Sequence, residues 1–81
     1  MPLALYTDAA LCRDMPELRL RRGDLVKLID HHVALDGEEG YSIEVLNALG
    51  ETIAVTALPA SALEALREDE VLSVRSLAPA V

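Results

Sequence analysis

The chain has few aromatic residues and a single cysteine. Phenylalanine and tryptophan are absent, and the only aromatic rings besides histidine are those of Tyr6 and Tyr41. The core must therefore be aliphatic, and aliphatic side chains bury less area per residue than aromatic rings do. Cys12 has no second cysteine to pair with, which excludes an internal disulfide and favours a reducing, cytoplasmic setting.

Long apolar runs and positive charge are also scarce. No stretch approaches the roughly 20 apolar residues of a membrane-spanning helix, and the N-terminal residues lack the basic and apolar regions of a secretory signal. We therefore expect a soluble protein with no membrane partner. Its 14 acidic and 7 basic residues give a net charge of −7, which repels phosphate backbones, so nucleic acid is an unfavoured partner.

The chain does contain many aliphatic residues suited to short strands. Its 15 leucines, 7 valines and 3 isoleucines are enough for one small core. A length of 81 residues predicts a single domain over residues 1–81, since neither a linker nor a repeat interrupts it. Small domains of this kind often gain stability by dimerising.

Apolar residues that recur at every second position predict a mainly β fold. Leu18 and Leu20 alternate with arginines, and Tyr41 begins an alternation that continues through the next strand. The predicted strands cover residues 3–7, 25–29, 41–45, 52–58 and 70–77. For the residues after the first of these runs, 9–12, the pattern leaves open an extension of the strand or the start of a helical turn.

Glycine, proline and polar residues mark the predicted turns between these strands. Gly23 supplies a positive φ for a tight turn, and the carboxylate of Asp24 can hydrogen-bond backbone amides beyond the turn. Residues 36–40 predict a solvated hairpin loop, and residues 47–50 a four-residue turn closed by glycine. Residues 59–66 combine good helix formers with a Ser-x-x-Glu capping spacing, which predicts one or two helical turns before a last strand that Pro79 ends.

This order of elements is typical of a small SH3-like five-stranded barrel with one short helical turn before the last strand. The chain also resembles the small bacterial proteins grouped as domain of unknown function 4926. The resemblance extends over residues 5–77 and rests on four motifs: Leu20-Arg21-Arg22-Gly23-Asp24, Tyr41-Ser42-Ile43-Glu44-Val45, Gly50-Glu51-Thr52-Ile53-Ala54-Val55 and Leu58-Pro59-Ala60-Ser61. Members tend to have a glycine where this chain has Val26. The resemblance implies an SH3-like barrel and no particular activity.

The residues that could carry chemistry do not form a recognisable active site. His31 and His32 lie near acidic residues, but adjacent strand residues point to opposite faces and would not converge on one metal ion. Cys12 has no base placed beside it by the sequence, so the role of a small buried apolar residue is favoured over a nucleophilic one. We therefore predict a protein that is not an enzyme and that needs no cofactor or metal.

Two features favour an interaction surface instead. Residues 53–58 lack charge and have high β-propensity, so Ile53 and Val55 are candidates for pairing with another strand. Tyr41 and the exposed cluster of Arg21 and Arg22 are further candidates.

We therefore predict a non-catalytic protein-interaction module, either self-associating as a homodimer or binding another protein. An acidic antitoxin or immunity protein and an accessory subunit are specific forms of this prediction. The alternatives left open are a nucleic-acid-associated SH3-like module, which the charge and the lack of stacking aromatics disfavour, and a small-ligand-binding barrel, which would need converging polar groups.

Overall fold

The structure of the chain is a computed structural model that describes residues 3–77. These residues form one antiparallel sheet of five strands, and their only helical segments are two single 3-10 turns. The strands are β1 (Asp8–Leu11), β2 (Leu25–Val33), β3 (Glu39–Leu46), β4 (Thr52–Pro59) and β5 (Leu63–Ala65), and the 3-10 turns are Pro16–Leu18 and Ala60–Ala62. The predicted mainly β class, with five strands and a short helical turn before the last, is confirmed.

The strands lie side by side in the order β4-β3-β2-β1-β5. Consecutive hairpins join β2, β3 and β4, whereas β1 pairs with β2 on one side and with β5 on the other. Within residues 3–77, β4 and β5 are the two edges of the sheet and do not pair with each other. The sheet is therefore open along β4 and β5, without the hydrogen-bonded closure of a complete barrel.

A single apolar core lies on the concave side of this sheet and takes side chains from all five strands. Its buried members are Ala9, Leu11, Leu20, Val26, Leu28, Tyr41, Ile43, Val45, Leu58, Ala62 and Leu63. Among residues 3–77 no helical layer covers the sheet. Leu28 and Ile43 are both 0% exposed, and residues outside the strands, among them Leu3, Met15 and Leu18, pack against this core.

The Gly23-Asp24 corner joins β1 to β2 as predicted. Gly23 has a φ of +91°, and its N–H donates to the carbonyl of Leu11 at 2.8 Å. The Asp24 carboxylate accepts the N–H of Arg21 at 2.7 Å, an amide before the turn and not beyond it. The corner therefore fixes where β2 begins.

The predicted strands at the N-terminal side were misplaced. Leu3–Thr7 is not a strand: Tyr6 has a φ of +64°, which interrupts an extended backbone. The sheet begins instead at Asp8. The alternation at Leu18 and Leu20 is also not a strand, because Pro16–Leu18 is a 3-10 turn.

The predicted elements at the C-terminal side were wrong as well. The helix expected over residues 59–66 is reduced to Ala60–Ala62, and Leu63–Ala65 pairs with β1 instead. No side-chain hydrogen bond caps this turn, so the capping box does not form. The strand expected over residues 70–77 is absent from the described chain, and Pro79, its predicted end, lies outside the described residues.

Candidate interaction surface

A well-defined turn positions the edge strand β4. The side-chain oxygen Oδ1 of Asn47 accepts the N–H groups of Leu49 and Glu51, each at 2.9 Å. The side-chain nitrogen Nδ2 of Asn47 donates to Glu51 Oε1 at 2.9 Å. Gly50 adopts a φ of +82°, the left-handed conformation that glycine adopts without strain. The predicted turn at residues 47–50 is confirmed, and it sets the register of the β3–β4 hairpin.

The outer side of β4 carries its larger exposed apolar side chains. Ile53 is 47% and Val55 60% exposed, whereas Leu58 at the other end of the strand is buried. A bulge lies at Ile53, because Val45 pairs with Ala54 while Leu46 pairs with Thr52. Exposed residues at positions 53, 55 and 57 alternate with less exposed ones at 54, 56 and 58, so the strand presents two β-branched apolar residues, Ile53 and Val55, to solvent.

No charged residue lies between Thr52 and Pro59. Edge strands commonly carry a charge or a lysine that blocks pairing with another chain. The nearest carboxylate on the outer face belongs to Glu44, which lies opposite Val55 on β3. Its Oε2 atom accepts a hydrogen bond of 2.5 Å from Thr52 Oγ1. The Glu44 carboxylate is therefore engaged within the β3–β4 hairpin.

Tyr41, the third candidate from the sequence, lies in the core and not on this surface. Its side chain is 1% exposed, and its hydroxyl accepts the N–H of Leu3 at 2.9 Å. Its ring contacts the imidazole of His31, with centroids 4.9 Å apart. Tyr41 therefore holds the N-terminal segment against the sheet and is not accessible to a partner.

Arg21 and Arg22 are exposed, but they lie at the corner between β1 and β2 and not on β4. Acidic residues are interspersed with them: the N–H of Arg22 donates to Asp14 Oδ1 at 2.9 Å, and that of Arg21 donates to Asp24. The five candidates thus fall in three places, and only Ile53 and Val55 share one surface.

The corner also binds Arg75, which the sequence did not indicate. Arg75 Nε donates to Asp24 Oδ1 at 3.0 Å, Nη2 donates to Asp24 Oδ2, and Nη2 also lies 3.4 Å from the carbonyl oxygen of Arg19. Partial burial would raise the pKa of Asp24, but the hydrogen bonds from Arg75 and the Arg21 amide outweigh it and hold that pKa below its ordinary value. No spacing in the sequence could signal a contact across 51 residues.

Cys12 lies beside Glu64 of β5. Burial raises the pKa of the thiol, and the neighbouring Glu64 carboxylate raises it further through its charge and a hydrogen bond. A raised pKa reduces the fraction of reactive thiolate at neutral pH. Cys12 is half-buried and lies beside a carboxylate, so it is not the buried apolar residue expected from the sequence.

The histidine pair does not converge on one point. His31 contacts Tyr41, whereas His32 Nε2 lies 3.3 Å from Ser42 Oγ. The ring of His32 lies close to Gly40, where an added Cβ would be 3.2 Å from its Cε1 atom. Among residues 3–77 no group of three or more His, Cys, Asp or Glu side chains is placed to bind a metal ion.

An open hollow of about 460 Å³ lies beside this end of the sheet, lined by residues 32–34, 38–40 and 57–59. Its ionisable side chains are His32, Glu38 and Glu39. No polar or charged residue is buried anywhere in residues 3–77. None of the helices within those residues has the length and apolar character needed to cross a membrane.

One comparison with known proteins gives a match. A family model described as "Domain of unknown function (DUF4926)" matches residues 5–65, well over half of the chain. No curated protein and no solved structure matches the chain. The matched region contains all five strands and ends at the last residue of β5.

Proposed function

We propose that this chain, which belongs to the DUF4926 family, is a non-catalytic protein-interaction module that binds through the edge of β4. The observation that carries the proposal is that β4 is an uncharged edge strand with Ile53 and Val55 exposed on it. An extended segment of another chain can add to such an edge, where backbone hydrogen bonds supply affinity and side chains supply selectivity.

The other features of the chain support a protein partner over the alternatives. The net charge of −7 opposes phosphate backbones, and the arginines at the corner are interspersed with Asp14 and Asp24. The hollow beside β4 offers a ligand only His32 and two exposed glutamates as ionisable contacts. The single cysteine is in keeping with a cytoplasmic setting, which we include in the proposal.

Site-specific photo-crosslinking in the source cells tests this proposal. A photoreactive phenylalanine analogue replaces Ile53, and a control chain carries it at Leu35, which is fully exposed outside β4. We expect a discrete adduct from position 53 and none from position 35. If the partner is a different protein, excess unlabelled chain must suppress the adduct, whereas excess Val55→Lys chain must not, since a lysine on the edge blocks strand addition. If the partner is a second copy, the unlabelled wild-type chain must itself enter the adduct, and the Val55→Lys chain must not.

The mass of the adduct identifies the class of partner. Twice the chain mass of 8.7 kDa indicates self-association, and any other mass indicates a different protein. Absence of an adduct, or an adduct that the Val55→Lys chain suppresses equally well, would contradict binding through β4.

A further inference from the structure

We infer that the partner of β4 is a second copy of this chain, paired with it in antiparallel orientation about Thr56. This inference rests on the proposed function and specifies its partner. In such a dimer the two open sheets join edge to edge into one sheet of ten strands. The bounds of the regular strand, the placement of charge and the side chains that would meet all support this arrangement.

The regular part of β4 determines the centre of the pairing. The bulge at Ile53 ends the regular pairing on one side, and Pro59 has no N–H to donate on the other. The stretch between them is Ala54–Leu58, and its midpoint is Thr56. A two-fold axis at Thr56 pairs every residue of this stretch, whereas an axis at Val55 would bring the bulge of each copy into the ladder.

Charge decides between antiparallel and parallel pairing. Glu51, the charged residue next to the start of β4, lies outside the paired stretch. In the antiparallel arrangement the two copies of Glu51 are ten strand positions apart, about 34 Å. In-register parallel pairing would instead place them on adjacent strands about 5 Å apart, where like charges destabilise the pair.

Glu44 does not oppose the antiparallel dimer. It lies one strand inside β4, opposite Val55. The two copies of Glu44 are thus separated by three strand spacings, about 14 Å, and by a further offset along the strands. This distance exceeds the Debye length of about 8 Å at physiological ionic strength, so their repulsion is largely screened. The net charge of −7 on each copy therefore does not prevent two β4 strands from pairing.

The side chains that meet across the axis are compatible. On the outer face Val55 of each copy lies opposite Ala57 of the other, so a large apolar residue meets a small one. On the inner face Thr56 lies opposite its own counterpart, a cross-strand pair whose hydroxyls can hydrogen-bond. Ala54 lies opposite Leu58. No charge or unpaired polar side chain enters the interface.

Analytical ultracentrifugation of the pure chain and three matched variants tests the inference. We expect the wild-type chain to sediment as a dimer of 8.7 kDa protomers and Val55→Lys to dimerise more than about tenfold more weakly. Leu35→Lys makes the same charge change at an exposed loop position and must leave the dimer unchanged. Val74→Lys must also leave it unchanged. A monomeric wild-type chain, or a dimer that Val55→Lys does not weaken, would overturn the inference.

Val74→Lys is the informative control because residues 71–77 also have exposed apolar side chains. This segment of a second copy could add to β4 as an extended strand. Val71 and Val74 are both 92% exposed. If Val74→Lys dissociates the dimer, then the occupant of β4 is this segment of a second copy and the β4–β4 pairing is wrong.

Disulfide trapping then tests the register. In a Cys12→Ser background, we expect a mixture of the Val55→Cys and Ala57→Cys chains to cross-link under mild oxidation, since directly opposite residues lie within disulfide reach. Neither chain alone should cross-link efficiently, because its cysteines are then offset by two positions. Self-cross-linking of Val55→Cys would overturn the register about Thr56.

The outcomes separate this inference from the proposed function. A monomer in the ultracentrifuge together with a competable adduct of another mass in the photo-crosslinking experiment refutes the homodimer and leaves β4 as a binding edge for a different protein. A monomer with no competable adduct refutes both.

Discussion

Replacing Tyr41 with phenylalanine distinguishes a core role from an interaction role for this residue. The substitution keeps the buried ring and removes the hydroxyl that accepts the Leu3 N–H at 2.9 Å. We expect Tyr41→Phe to lower the free energy of unfolding by about 1 kcal/mol, the usual contribution of one neutral hydrogen bond. For a domain of this size such a loss lowers the Tm by about 4–8 °C.

Two measurements check this prediction. Thermal unfolding followed by circular dichroism gives the change in Tm, and hydrogen exchange should show faster exchange of the Leu3 amide. Tyr6→Phe is the matched control, because Tyr6 is 71% exposed and its hydroxyl should contribute little.

The reasoning would be refuted if Tyr41→Phe kept the full Tm and the protection of the Leu3 amide. It would also be refuted if the substitution left stability unchanged and abolished binding through β4, since Tyr41 would then act at an interface. A loss of stability with unchanged dimerisation is the expected pattern.

Two further predictions concern the corner and the packing of β3. The pKa of Asp24 is lower in the folded chain than in the unfolded one, so its contribution to stability is complete above about pH 4 and is lost as the pH falls through the folded pKa. Urea unfolding across the acid range should show this loss of stability, and the Asp24→Asn chain should lose less stability over the same range. Gly40→Ala should lower the free energy of unfolding by about 1–3 kcal/mol, because the new Cβ would lie 3.2 Å from both the carbonyl oxygen of Leu58 and Cε1 of His32.

Matched controls sharpen both predictions. Asp36→Asn removes a carboxylate that also accepts an amide, the N–H of Glu38, but that lies in the loop between β2 and β3 and not at the corner that binds Arg75. An equal change in acid sensitivity would show that Arg75 is not the cause. Adding His32→Ala to Gly40→Ala relieves the side-chain contact and leaves the one with the Leu58 carbonyl. Full recovery would show that the backbone contact is harmless.

The central part of the fold could be predicted from the sequence because its determinants are local. The hairpin of β3 and β4 follows from alternation on both sides of a turn whose Asn47 and Gly50 have the required side-chain and backbone preferences. The turn at the Gly23-Asp24 corner is equally local, since the two hydrogen bonds that join Arg21 and Asp24 span only three residues.

The strands β1 and β5 could not be placed, because they pair with each other across a long stretch of sequence. Leu63 pairs with Leu11, and this pairing overrides the helical preference of the segment around Ala62. In contrast, the burial of Tyr41 could have been recognised, because it alternates with Ile43 and Val45 on the face that forms the core. The bulge at Ile53 has no comparable signal in the sequence.

The contact between Arg75 and Asp24 joins a residue outside the matched region to one inside it. The region that matches the family ends at Ala65, so it includes Asp24 and its turn but not the arginine that binds it. The carboxylate can thus keep its amide partner, Arg21, in a relative that has no such arginine. Loss of the arginine would therefore remove this contact without altering the pairing of any described strand.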